Sequence, residues 1–338
     1  MPAAEKCDAA PLAQELATLR DGAALSPLAD RAVLGARGED RASFLQGMLS
    51  NDVAGLAPGA GTHALLLTEQ GRVVAELCVF ALADALWLEL PASARVRVRA
   101  ALERFVVADD VELDDLVLHG LALRGARAAA VLGAVLPAHA DAIAALGECA
   151  HRTVEHAARV VTVVRVPEFG RDGFHVWGTD EASVDAFATA LLGAGALPVS
   201  SDALEIERIA TGWARQDADY DPQTLAAEVP SFARAVSYRK GCYLGQEVME
   251  RIAARGHVNW LLVRLTGDAG ASFSAGAPVQ DEGAEVGKVT SVAALPGTDR
   301  VVALARVRAA VAQTGRRLVV VDGGRESGAE VATFPIAT

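Results

Sequence analysis

Residues 240–247 read Lys-Gly-Cys-Tyr-Leu-Gly-Gln-Glu and form the stretch of the chain with the clearest chemical potential. Its cysteine, Cys242, lies between two glycines and follows Arg239 and Lys240. The glycines allow positive φ angles and let a ligand approach the backbone closely. Good helix-forming residues come next, so we expect a helix that begins near Leu244, whose dipole and neighbouring cations would favour a thiolate. The pattern predicts a reactive thiol, and the alternative is a small buried residue in a helix-entry turn.

Three further polar residues, Asn51, Asp52 and Arg72, fall at the ends of predicted elements, where side chains can point into a cleft. Turn and cap chemistry explains the same positions equally simply, and the residues alone favour that explanation. Aromatic side chains make up only 5% of the chain, yet four of them surround the Cys242 stretch. They could stack on a flat ring or pack in a core. The four are Trp213, Tyr220, Tyr238 and Tyr243.

Other site chemistries find little support in the residue spacing. Cys149, His151 and His156 invite a metal site, but the two histidines are five residues apart and no carboxylate pair completes the set. The alternating aspartates of residues 217–221 lack the central glycine and the terminal glutamate of a calcium loop. The chain has no Walker lysine and no nucleophile-elbow motif. We therefore predict no metal site.

The composition is that of a globular protein. The chain has 338 residues, 52% hydrophobic and 22% charged, which predicts two or three domains. A net charge of −12 argues against general nucleic-acid binding. Residues 1–8 do not resemble a signal peptide, and the longest apolar run, residues 73–90, contains three acidic residues, so no membrane association is expected. Four scattered cysteines favour a reducing, cytoplasmic compartment.

Strand and helix patterns divide the chain into four segments. Residues 1–120 and 121–199 each alternate strands with helices, which predicts two α+β lobes with mostly antiparallel sheets. Residues 200–256 contain a returning helix, a polar loop and the Cys242 stretch, and we expect them to pack on the two lobes. From residue 257 to residue 338, six short β runs separated by Gly and Asp turns predict a small barrel or sandwich.

The Cys242 stretch resembles the K-G-C-Y-x-G-Q-E signature of the folate-binding YgfZ family. These proteins are relatives of the glycine-cleavage T protein, an aminomethyltransferase, and act in iron–sulfur cluster maturation or repair. Residues 44–53 are similar to the family's F-L-Q-G-x-x-T-N-D-V stretch, and residues 68–73 to its T-P-x-G-R-V hairpin, with Glu69 in place of the proline. Residues 212–219 depart from the family's G-x-P-x-x-G-x-D pattern, which implies a differently shaped loop there.

The resemblance implies an α+β, three-lobed cloverleaf with a C-terminal β-barrel around a central channel that accepts tetrahydrofolate or a derivative. It implies a folate-binding accessory factor for iron–sulfur cluster assembly or repair, with Cys242 as the reactive thiol near the channel mouth and iron–sulfur proteins or their assembly machinery as transient partners. A folate-dependent, aminomethyltransferase-like one-carbon transferase is the alternative, and a plain interaction module is a third reading. If the protein is such an accessory factor, classical aminomethyltransferase activity is not expected. The residues expected to bind the folate or shape its channel are Asn51, Asp52, Arg72, Lys240, Tyr243, Gln246 and Glu247.

Overall fold

The computed structural model describes residues 12–166, 168–256 and 258–332. Expectations that involve residues 1–11, among them Cys7, lie outside the described residues, as do those for residues 257 and 333–338. The returning helix expected within residues 200–256 is present at Ser201–Thr211 (α7). The eight α-helices of the described residues are α1 Leu12–Asp21, α2 Arg41–Met48, α3 Arg95–Glu103, α4 Ala128–Val135, α5 Ala140–Ala144, α6 Glu181–Gly193, α7 Ser201–Thr211 and α8 Gln246–Arg255.

The strands of the described residues form two open sheets and one closed barrel. All neighbouring strands pair antiparallel except β1 and β11, as expected for mostly antiparallel lobes. The strands are β1 Ala24–Pro27, β2 Arg31–Arg37, β3 Gly61–Leu67, β4 Val73–Ala81, β5 Leu86–Pro91, β6 Glu112–Leu116, β7 His119–Arg124, β8 His151–His156, β9 Arg159–Arg165, β10 Gly173–Gly178, β11 Leu197–Pro198, β12 Trp260–Gly267, β13 Pro278–Asp281, β14 Ala284–Ala294, β15 Val301–Arg308, β16 Arg317–Asp322 and β17 Arg325–Ala332.

The first sheet has five strands in the order β3-β4-β5-β2-β6. Helices α2 and α3 pack on one face, where Phe44, Leu45, Val98 and Leu102 join the alternating apolar side chains of the strands. Burial of this face is the main source of its stability, because apolar surface removed from water contributes about 25 cal/mol per Å².

The second sheet has six strands in the order β11-β1-β7-β10-β9-β8 and is covered by α4 and α6. Strand β1 belongs to this sheet although it precedes every strand of the first one. The sheets therefore do not follow the expected border at residue 120 strictly, because the chain begins in the second sheet, crosses to build the first, and returns. The division at residues 120, 199 and 256 otherwise stays a prediction.

The two sheets meet through their remaining faces. Val33 and Phe80 of the first sheet share a buried cluster with Ala122, Val164 and Trp177 of the second. A polar layer lies within this interface, and it forms the floor of the cavity described below.

The barrel closes in the order β12-β15-β14-β13-β16-β17 around its own apolar core. The expectation of a small six-stranded C-terminal barrel is confirmed. Residues between α7 and α8 fill the space between the barrel and the first sheet, where Tyr220, Phe232 and Tyr243 pack between Leu65 and Leu304. The described residues contain no helix that is both long and apolar enough to cross a membrane.

Candidate functional site

The Cys242 loop, defined here as residues 237–245, presents its cysteine to solvent. Helix α8 begins at Gln246, two residues later than expected, so Cys242 precedes the helix by four residues. Gly245 turns the chain into the helix with a φ of +83°, and a Cβ at this position would lie only 2.5 Å from the carbonyl oxygen of Thr68. Because both features require glycine, the local sequence fixes the path of the loop.

Lys240 anchors this loop to the end of α2. Its Nζ donates to the carbonyl oxygens of Gln46 at 2.6 Å, Leu49 at 2.6 Å and Asn51 at 2.9 Å. Carbonyls at a helix C-terminus lack intrahelical partners, and a cation satisfies them well. Burial lowers the pKa of Lys240 to about 8, against the opposing effect of Asp52. The three hydrogen bonds direct the Lys240 ammonium toward the backbone at the end of α2.

The other motif side chains also shape the loop. Tyr243 is buried, and burial raises its pKa to about 12. Gln246 accepts a hydrogen bond from the Tyr243 amide at 3.3 Å and donates to Glu250 at 2.7 Å. Glu247 is exposed and pairs with Arg251 one turn along the helix. These contacts order the loop around Cys242.

The polar residues from the first lobe lie beside the loop. Asn51 donates to the carbonyl oxygen of His63 at 2.9 Å and accepts from the amide of Asp52 at 2.9 Å. Asp52 is exposed. Arg72 donates to the carbonyl oxygen of Gln223, and its hairpin packs on the start of α8. The fold thus gathers all eight predicted residues around the junction of α2, this hairpin and α8. Their functional roles stay a prediction.

A cavity of about 510 Å³ lies elsewhere, between the two sheets, α7 and the segment that follows α7. None of the eight predicted residues, all of them described, contributes to its wall. The wall combines carboxylates, guanidiniums and aromatic rings. It is formed by Pro27, Ala29, Asp30, Arg31, Glu76, Pro91, Arg124, Glu168, Phe169, Ser201, Asp202, Leu204, Glu205, Arg208, Trp213, Ala214, Arg215 and Gln216.

A chain of alternating charges runs beneath the cavity. Arg31 Nε lies 3.1 Å from Glu89 Oε1, which lies 2.8 Å from His175 Nδ1. His175 Nε2 faces Glu168 Oε2 at 3.4 Å, and the same oxygen accepts from Arg124 Nε at 2.6 Å. Glu89 and His175 are fully buried. Ionic groups so far from water must be paired, and each of these five side chains faces a group of opposite charge.

The pKa values of Glu89 and His175 are displaced in the directions that keep both side chains charged. Burial opposes ionisation of Glu89, but His175 and Arg31 outweigh it and hold the pKa of Glu89 at about 2. Burial also opposes the charge on His175, but Glu89 and Glu168 raise its pKa to about 9. Strongly displaced pKa values next to a cavity are typical of functional sites, although structural ion pairs produce them too.

Glu76 enters the cavity from β4. Burial acts to raise its pKa, but His63, 3.7 Å away, together with Arg31 lowers it, so the carboxylate is anionic at neutral pH. Next to it, Gln216 uses its Nε2 to bind the carbonyl oxygen of Val74 at 2.7 Å. The buried Oε1 of Gln216 has no hydrogen-bond partner within the described part of the chain. The cavity wall therefore has unused hydrogen-bonding capacity.

The opposite wall is built on α7. Arg208 contacts Asp219 at 2.5 Å and Ser291 of the barrel at 2.9 Å, and it pairs with Glu205 through two nitrogens. Asp219 is buried and accepts from Thr290 and Ser291 as well. This network ties α7 to the barrel and so fixes the position of the cavity wall.

An aromatic surface completes the site. The rings of Phe169 and Trp213 meet edge to face at 6.2 Å, and the Arg234 guanidinium lies 4.5 Å from the Trp213 ring centre. Arg234 also connects the two regions, because its carbonyl oxygen accepts a 3.4 Å hydrogen bond from Asn51 beside the Cys242 loop. A flat ligand could stack here.

Sequence patterns pointed to Trp213 as a possible ring surface, but not to the charged residues of the cavity wall and of the network beneath it. The usable signal was a charged residue inside an otherwise apolar strand, as at Glu76 in β4, Glu89 in β5 and His175 in β10. A buried charge of this kind needs a partner from elsewhere in the fold. The partners themselves are far apart in sequence. Within the described residues no group of three His, Cys, Asp or Glu side chains is arranged to hold a metal ion.

Comparison with known proteins gives consistent results. Residues 4–240 match the GCVT N-terminal domain and residues 261–336 the glycine cleavage T-protein C-terminal barrel domain. The chain is 24% identical to an aminomethyltransferase of Nostoc sp., covering 96% of this chain and 87% of that protein. It is 28% identical to an aminomethyltransferase of Synechococcus sp., with coverages of 86% and 80%. It is 29% identical to a tRNA-modifying protein YgfZ of Sodalis glossinidius, with coverages of 75% and 74%.

Among solved structures, the chain is similar to the glycine cleavage system aminomethyltransferase T from Bartonella henselae. The TM-score is 0.83 at 23% identity, with 96% of this chain and 89% of that chain covered. The expected fold class, two α+β lobes with a C-terminal barrel, is thereby confirmed.

Proposed function

Because the chain belongs to the glycine cleavage T-protein family, we propose that it binds tetrahydrofolate in the cavity between its two sheets and α7 and acts in one-carbon transfer of the aminomethyltransferase type. The observation that carries this proposal is the cavity wall, where anionic carboxylates, guanidiniums and aromatic rings face one space. The preponderance of aminomethyltransferases among the similar proteins named above supports the same assignment.

The residues of the cavity fit a reduced folate. A pterin edge rich in N–H groups suits a buried carboxylate such as Glu76, because charge-assisted hydrogen bonds are short and strong. Trp213 and Phe169 offer ring surface, and guanidiniums of the wall suit the carboxylates of the glutamyl tail. The volume of about 510 Å³ falls in the usual range for small-molecule sites, roughly 300–1,000 Å³. When bound, tetrahydrofolate supplies the nitrogen atoms that carry the one-carbon unit.

Calorimetric titration with tetrahydrofolate under argon tests the binding site. We expect the wild type to bind and Glu76→Gln to bind at least tenfold more weakly, because a neutral amide cannot replace the carboxylate acceptor. Glu247→Gln, on the exposed face of α8, is the matched control and should bind like the wild type. Absence of heat and of a thermal shift with the wild type would contradict every folate-dependent role.

The type of reaction needs its own assay. We expect the protein to form methylenetetrahydrofolate from tetrahydrofolate and an aminomethylated carrier protein, with ammonia and the unmodified carrier as the other products, and Glu76→Gln to lower the rate. Tetrahydrofolate binding without any product at high enzyme concentration would reject the transferase while keeping the folate site.

A second candidate is a folate-binding accessory factor for iron–sulfur proteins. The exposed thiol of Cys242, on a loop that Lys240 anchors, supports it. So do the resemblance of residues 240–247 to the YgfZ signature and the 29% identity to one YgfZ protein. A single cysteine cannot hold a cluster alone, so any cluster contact would be shared with a partner.

Cys242→Ala separates the two candidates. If the second is right, the variant folds, binds tetrahydrofolate normally and fails to restore iron–sulfur enzyme activity in cells that lack the protein, and Cys242→Ser fails as well. Full restoration by the alanine variant would reject the second candidate. Unchanged methylenetetrahydrofolate formation by the same variant would favour the first.

A further inference from the structure

His175 lies fully buried between two carboxylates that come from different elements. Its Nδ1 is 2.8 Å from Glu89 Oε1 on β5, and its Nε2 is 3.4 Å from Glu168 Oε2 in the segment before β10. Trp177 donates to the second oxygen of Glu89 at 2.9 Å, which fixes that carboxylate from the side. A neutral imidazole could donate from only one nitrogen, whereas an imidazolium faces both carboxylates with a proton.

The same two carboxylates are held from their other sides. Arg31 from β2 pairs with Glu89, and Arg124 from β7 pairs with Glu168. A neutral His175 would turn one unprotonated ring nitrogen toward a carboxylate oxygen in a buried region, whereas an imidazolium attracts both carboxylates.

The contacts of Glu168 and Arg31 connect His175 to the cavity. Glu168 lines the cavity. Arg124 holds its carboxylate on one side, and His175 faces it on the other. Arg31 lines the cavity and is held through Glu89, which His175 contacts directly. His175 itself is absent from the cavity wall, so it can act on a ligand only through these neighbours.

We propose that His175, in its imidazolium form, is a positioning residue that fixes Glu168 and, through Glu89, Arg31 at the cavity wall in the arrangement that binds tetrahydrofolate. This inference rests on the proposed folate site. It adds that tetrahydrofolate binding depends on one proton of His175. Loss of that proton leaves a neutral ring between two carboxylates in place of the central cation.

The pH range follows from the same contacts. Burial acts to lower the pKa of His175, and Glu89 and Glu168 raise it to about 9. Tetrahydrofolate affinity should therefore be steady near neutral pH and fall as the pH rises through about 9. The Lys240 ammonium titrates near 8, but it lies in the Cys242 loop, outside the cavity wall. A variant of His175 is needed to assign the step.

The test is a calorimetric titration with tetrahydrofolate between pH 6.5 and 9.5 for three proteins. His175→Asn keeps a donor near the position of Nδ1 and cannot carry charge. His151→Asn is the control, since His151 is a buried histidine of the same sheet that does not line the cavity. We expect His175→Asn to bind about tenfold more weakly at pH 7.5 with no step near pH 9. The control should keep both the affinity and the step.

Each outcome decides something. Equal affinities of His175→Asn and the wild type at pH 7.5 would overturn the inference and leave the folate site intact. Weakening by the same factor at every pH, with the step retained, would reduce His175 to a structural residue and also overturn it. No binding by the wild type would overturn the proposed function and the inference together.

A measurement on the wild type covers the case in which His175→Asn does not fold. Ring ¹⁵N resonances of labelled histidine report directly whether His175 is an imidazolium. We expect both ring nitrogens to be protonated at pH 7.5 and to titrate in step with the loss of tetrahydrofolate affinity. A neutral ring at pH 7.5 would overturn the inference.

Discussion

Lys240 in the Cys242 loop donates to three backbone carbonyls, whereas the guanidiniums and carboxylates of the cavity bind one another around open space. Both regions are polar, yet the first uses its polar groups to fix the backbone and the second keeps some of them available. Gln216 illustrates the difference, because its Oε1 has no partner among the described residues. The loop thus supports one exposed thiol, and the cavity is the region in which we propose that a ligand binds.

The largest expected effect comes from removing a charge from the cavity wall. Arg208→Met leaves the buried carboxylate of Asp219 without its cation, so the free energy of unfolding should fall by about 3–5 kcal/mol in urea denaturation. Arg215→Met is the matched control, because its ion pair with Glu205 is half exposed and should cost less than about 1 kcal/mol. Similar losses for both variants would mean that the buried network is no stronger than a surface pair.

The next effect is a dependence of stability on pH. The pKa of His175 is about 9 in the folded protein and roughly 6.5 in the unfolded chain, so its contribution is complete below pH 6.5 and is lost as the pH rises through 9. The lowered pKa of Lys240 gives the opposite trend. The stability difference between the wild type and His175→Asn isolates the network and should shrink by roughly 3 kcal/mol from pH 6.5 to 9.5. A constant difference would contradict the charged state of His175.

A smaller loss is expected at the anchor of the Cys242 loop. Lys240→Met leaves three carbonyls without their donor and should lower the free energy of unfolding by about 1–3 kcal/mol. Lys288→Met, at an exposed position on β14, should have no measurable effect. We expect tetrahydrofolate affinity to stay within about threefold of the wild type. A tenfold loss of affinity would show that the Cys242 loop contributes to the folate site.

The smallest effect is expected on the outer face of α8. Glu247 belongs to the eight-residue motif, but its carboxylate is exposed and contacts only Arg251 among the described residues. Glu247→Gln should leave the urea midpoint and tetrahydrofolate affinity unchanged, since exposed ion pairs contribute little. If the same variant failed to restore iron–sulfur enzyme activity in cells, Glu247 would mark a contact surface for a partner.

The local features of the chain could be predicted because they depend on neighbouring residues. The glycine turn before α8 and the turns of the barrel follow from single residues that permit positive φ angles. The cavity could not be predicted in this way. Arg31, Glu168 and Arg208 lie far apart along the chain, and only the pairing of the sheets brings them together. Glu89 and His175 each interrupt an otherwise apolar strand, which signals a buried polar group, but the sequence does not show which residues are their partners.

Strand β1 has a consequence for how the protein is made on the ribosome. Every strand of the first sheet is synthesised by residue 116, so this sheet can form early. By contrast, β1 pairs with β7 and with β11, and β11 follows it by about 170 residues. At roughly 5–20 residues per second, the edge of β1 that pairs with β7 waits about 5–20 s for its partner, and the edge that pairs with β11 waits about 10–35 s. During that interval a nascent apolar strand is open to pairing with other chains, so the yield of soluble protein should depend on early chaperone binding to this segment.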